Sequence, residues 1–184
     1  MSSFSDPLHH QLWATPEVRV YAFLQGHALP GVAQQLEQAE REGGLRAWDC
    51  LLRGALPAEA RAQAPWIAEL QAGSAFTQQV LRQWPATFPA WGLLGLSHEP
   101  MLSVRERARR LMRVGLPQGD AAGWRWLDPA LWGALLPRLQ PHQLDVAFAG
   151  MRAWVLLTQE GVLWLSLRDG VLAQDLRPLP PLAG

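Results

Sequence analysis

The hydrophobic and polar positions follow a helix–strand alternation as far as Ala149, and a different pattern begins after Gly150. Val18 to Leu24 is β-rich and apolar nearly throughout, which predicts a strand buried on both faces. Pro30 opens a helix to about Glu42, with Val32, Leu36 and Ala39 on one face and Gly43-Gly44 as its stop. Ala47 to Leu52 and Trp66 to Leu70 predict two short strands, separated by a helix from Pro57 to Gln63. Ser74 predicts an N-cap for a helix that presents Phe76, Val80, Leu81 and Trp84 inward and ends at Pro85. Trp91 to Leu96 is the next strand.

Ser103 and Glu106 have the spacing of a capping box, and Val104, Ala108, Leu111 and Met112 make one apolar stripe behind it. Gly123 to Leu127 predicts a strand, Asp128-Pro129 the start of a helix to Leu136, and Pro141 a further helix to Phe148. Three strand-like runs then follow: Arg152 to Leu157, Gly161 to Leu167 and Val171 to Leu176. Asp169-Gly170 is a strong hairpin signal between the last two. The expected class is α/β, with α+β the alternative: a mixed sheet with flanking helices, then a small antiparallel meander. Residues 1–150 form the expected main domain, 151–177 a meander packed on it, and 178–184 a Pro-rich mobile tail.

Composition narrows the function classes. Hydrophobic residues make up 49% of the chain, so a packed core is expected rather than disorder. Sixteen basic and sixteen acidic residues cancel, which argues against a dedicated nucleic-acid or anionic-membrane binder. The basic residues are all Arg, and Lys and Asn are absent, a bias expected of GC-rich coding. Ten Trp against one Tyr supply core filling, with some available to a partner. Cys50 has no second cysteine to pair with, Met1 to His10 has no signal-peptide pattern, and no run of about 20 apolar residues occurs. A soluble cytoplasmic protein is expected.

No catalytic, metal or cofactor-binding constellation is expected. The five His lack zinc-helix spacing, His9-His10 reads as a solvated terminal pair, and Ser74 is explained by capping. Cys50 lies in an apolar run, where thiols are inert. Arg105, Arg107, Arg109, Arg110 and Arg113 occupy the arc opposite the apolar stripe of their helix. That arc reads as a solvated face, or as a surface for an acidic protein partner.

The most specific string is Trp124-Arg125-Trp126-Leu127-Asp128-Pro129. Alternation would set Trp124 and Trp126 on one face, with Arg125 near enough to pair with Asp128. This string resembles the signature of the bacterial type VI secretion effector adaptors, chaperones first catalogued as a domain of unknown function. Other segments are similar to that family in the same order. Val20 to Gly26 resembles its opening strand, which usually carries an acidic residue where Gln25 stands. Ala64 to Leu70, Trp91 to Ser97, the helix at Ser103 and Phe148-Ala149-Gly150 resemble its later elements. The resemblance implies a non-enzymatic adaptor that binds a toxic effector and helps load it onto the VgrG spike. It leaves open whether the signature holds the fold together or recognises a partner. An enzyme with a scattered site, and a nucleic-acid-binding regulator built on the Arg-rich helix, are the competing expectations.

Overall fold

The computed structural model describes residues 7–113, 127–158 and 160–178. Its centre is a seven-stranded sheet in the order β2-β3-β1-β4-β5-β6-β7. The strands are β1 (Arg19–Gln25), β2 (Leu45–Cys50), β3 (Pro65–Leu70), β4 (Gly92–Ser97), β5 (Ala153–Leu157), β6 (Val162–Arg168) and β7 (Val171–Arg177). The helices are α1 (Pro7–Leu12), α2 (Val32–Arg41), α3 (Ala58–Gln63), α4 (Ala75–Gln78), α5 (Trp84–Thr87), α6 (Met101–Arg113), α7 (Pro129–Leu135) and α8 (Pro141–Ala147).

The central strands are apolar on both faces because both faces are covered. Val20, Ala22 and Leu24 of β1 join a cluster with α1, α2, α4 and α5. Tyr21 and Phe23 join an opposite cluster with α6, α7 and α8. Burial of such runs supplies the main driving force for the fold. Five described tryptophans, at positions 66, 84, 91, 132 and 154, are core residues. The Trp132 and Trp154 rings meet edge to face at 5.9 Å, and the Trp154 indole donates to the Ala147 carbonyl at 3.0 Å.

The helix-and-strand class and the C-terminal meander are as expected, but the sheet is antiparallel at every pairing rather than mixed. The reason lies in the crossovers. The β1-α2-β2 unit joins two strands that both flank β3, and the β3-α4-α5-β4 unit joins two that both flank β1. Each crossover therefore links parallel strands two positions apart, and an antiparallel strand fills the gap. Alternation of helix and strand is preserved without any adjacent parallel pair.

Three local expectations are corrected. Helix formation runs past Pro85 to Thr87, because residues Gln79–Gln83 form a π-helical turn. That turn restarts the helix at Trp84, so Pro85 sits in a first turn where its missing N–H costs little. Helix α6 begins at Met101, with the Pro100 carbonyl accepting from the Ser103 and Val104 N–H groups. Ser103 is thus inside the first turn, not at its cap. His9 is not a solvated terminal residue: it lies in α1, 4.7 Å from the Trp13 ring, and its Nε2 accepts from the Gly73 N–H at 3.1 Å.

Candidate functional site

Helix α6 was the first candidate surface, and the structure gives its arginines internal work. Arg109 reaches the end of β2. Its guanidinium donates to the carbonyls of Cys50 at 2.8 Å and Leu51 at 3.1 Å, and to Glu106 at 2.7 Å. Its side chain is 12% exposed, so these are shielded, charge-assisted bonds. Arg105 pairs with Asp49 at the same strand end. Glu106, released from the predicted cap, accepts from Arg53 at 2.6 Å as well as from Arg109. Those bonds hold its carboxyl below the usual range, that to Arg109 contributing most.

Arg107 makes a two-pronged pair with Glu99, at 2.7 and 2.6 Å. The pairing lowers the Glu99 carboxyl and raises the Arg107 guanidinium, chiefly through these hydrogen bonds. Around it the chain is tied from three directions. Tyr21 donates its hydroxyl to the Glu99 carbonyl at 2.7 Å, the Glu99 N–H donates to Ser97 Oγ at 3.0 Å, and Ser97 donates to the Gly150 carbonyl at 2.6 Å. Gly150 has φ +73°, and a Cβ there would lie 2.6 Å from Arg107 Nε and 2.8 Å from the Glu99 carboxyl. Tyr21, Ser97 and Gly150 fall in three separate segments of the resemblance, and the fold brings them to one junction.

The solvated-face reading of α6 is therefore corrected for Arg105, Arg107 and Arg109. Arg110 is exposed, and the Arg113 side chain lies outside the described residues. So do Trp124, Arg125 and Trp126, all but the last residue of the strand expected over Gly123 to Leu127, and the Arg125–Asp128 pair. The rest of the signature is in place. Asp128 Oδ1 accepts from Ala130 N–H at 2.9 Å and from Leu131 N–H at 3.4 Å, and Pro129 takes the first helical position of α7.

Two buried polar residues were not singled out as charged or amide anchors by their sequence pattern. Glu69 of β3, 3% exposed, accepts from Arg19 at 3.1 and 3.3 Å. Gln25, 3% exposed, donates its amide to the Ala90 carbonyl at 2.9 Å. An ionised carboxylate cannot donate, so the amide at this position makes a bond its acidic counterpart could not. Burial also raises the Tyr21 hydroxyl, with the Glu69 charge adding to it, and pushes the Cys50 thiol up. A thiol so shifted stays protonated and unreactive. Among the described residues, no group of three or more His, Cys, Asp or Glu could hold a metal ion.

A second surface escaped the sequence reading. A groove of about 770 Å³ lies between α1 with the turn after it and the β5–β7 meander. Its floor is a row of small side chains. Ser166 pairs with Ala173, and Ala153 follows one step beyond the Trp154–Leu165 pairing. Trp164 stands beside that row, with the Arg177 guanidinium 5.0 Å over its ring. Arg177 is itself fixed by Asp175, at 2.8 and 2.6 Å, and by Gln11 of α1 at 2.7 Å. The three small residues stand on three neighbouring strands, one on each, so no pattern along a single strand signals the gap they leave on the sheet face.

The chain belongs to the family described as a domain of unknown function (DUF4123), which matches residues 20–146. No curated protein and no solved structure matches it. Among the described residues, no helix is long and apolar enough to cross a membrane.

Proposed function

We propose that this protein is a cytoplasmic adaptor of a type VI secretion system, which binds an effector protein and helps load it onto the VgrG spike. It acts by binding, not by catalysis. The observation that carries this reading is the signature string at 124–129, together with the ordered segments from Val20 to Gly150 that resemble the adaptor family. Membership of the matched domain family over residues 20–146 supports it. The balanced charge fits a protein partner better than a polyanion. The Arg-rich helix offers no continuous basic stripe for nucleic acid, since Arg105, Arg107 and Arg109 are each paired within the fold.

The test is recovery of the tagged protein from its host, with mass spectrometry of what accompanies it, and secretion assays after deletion of its gene. A toxin and a spike protein should come with it, and that toxin alone should cease to be secreted. Recovery of neither, with secretion unchanged, would overturn the proposal.

A further inference from the structure

The groove at the end of the sheet differs from the rest of the molecule in two respects. First, it is built from segments the family match does not cover. Among the described residues that line it, Leu96 alone falls within 20–146; the others come from α1 and its following turn, or from the meander. Second, its charge is uncompensated. Arg152 and Arg168 both line the groove and both are exposed. Neither makes an ion pair or hydrogen bond with another described side chain, whereas the Arg177–Asp175 pair neutralises itself.

From these observations we infer that the groove is the docking site for an acidic peptide segment of the partner protein. This rests on the adaptor reading and names the surface that selects the partner. A floor of Ala153, Ser166 and Ala173 leaves room for a peptide's side chains. Arg152 and Arg168 supply two guanidiniums for Asp or Glu carboxylates, a geometry suited to charge-assisted, bidentate bonds. The stem of Arg177 and the Trp164 ring give an apolar wall beside them. Because the site lies outside the shared family region, its shape and charge can differ between adaptors while the common fold is retained.

The test uses the full chain and a displayed library of random 12-residue peptides, selected on the wild-type protein at low salt. Enriched peptides should be rich in Asp and Glu. Their affinity should fall about tenfold or more in Arg152→Glu/Arg168→Glu, with the difference shrinking at high salt. Ala173→Trp, which fills the floor, should abolish binding at all salt concentrations. Melting temperatures of both variants are measured alongside; the charge-reversal pair is at exposed positions and keeps the test open if the Trp variant fails to fold. Absence of enriched peptides, enrichment of neutral or basic ones, or binding indifferent to the charge reversal would overturn the assignment. The two readings separate in a parallel arm. If an effector is recovered equally well by wild type and by the charge-reversal variant, the adaptor reading stands and the groove assignment fails. If acidic peptides bind the groove but no effector is recovered, the reverse holds.

Discussion

Helix α6 and the C-terminal meander each carry several arginines, and they use them in opposite ways. On α6, Arg105, Arg107 and Arg109 are joined to Asp49, Glu99 and the carbonyls at the end of β2. On the groove rim, Arg152 and Arg168 are exposed and pair with no other described side chain. A basic residue's role is thus set by what the fold places opposite it, not by how many basic residues share a helix. An arginine that satisfies buried carbonyls is a structural clamp, whose loss leaves orphaned acceptors. An exposed arginine with no partner contributes little to stability and is free for recognition.

The largest effect should come from the junction that α6 helps to close. Gly150→Ala would place a Cβ in the left-handed region and against both members of the Arg107–Glu99 pair. A loss of about 3 kcal/mol is expected, read as a lower denaturation midpoint. Wild-type stability in this variant would mean that the junction is slack and that the α6 arginines clamp the fold no more than the meander's do. Next is Arg109→Met, which keeps the apolar stem and removes the donors to Cys50 and Leu51. About 2 kcal/mol should be lost in equilibrium unfolding, with a melting temperature lower by roughly 4–8 °C. Asp128→Ala removes the cap from α7 and should cost about 1 kcal/mol in the same measurement.

A smaller effect concerns acid. Arg107 depresses the Glu99 carboxyl in the folded state, so the pair stabilises the protein fully above the ordinary glutamate value near 4.5. That contribution is lost as pH falls through the depressed value, where the folded carboxylate finally takes up its proton. Acid titration of stability should therefore fall less steeply in Arg107→Gln than in wild type. Equal slopes would show that this half-buried pair adds nothing measurable.

The sequence made the strands of both regions legible for a physical reason. Val20 to Leu24 is apolar on both faces, and Asp169-Gly170 takes positive φ at both positions as a tight hairpin requires. The caps at Ser74 and Asp128 were equally local and equally readable. What stayed hidden was non-local. Asp49 and Arg105 are 56 positions apart, and Arg109 lies 59 from Cys50, so helical periodicity assigned those arginines to solvent. The Ser103–Glu106 spacing matched a capping box, but Pro100 starts the helix earlier and Glu106 serves three arginines instead. The groove was invisible for the same reason: Gln11 meets Arg177 across 166 positions.

The most direct test of this division measures melting temperature and affinity for the recovered effector on the same samples of Arg109→Met and Arg152→Glu/Arg168→Glu. A crossed result is expected. The α6 variant should melt lower yet bind normally while folded, and the groove variant should keep its stability to within about 0.5 kcal/mol of wild type yet lose most of its affinity. An Arg109→Met protein of unchanged stability that no longer binds, beside a groove variant with full affinity, would place recognition on α6 and contradict the account.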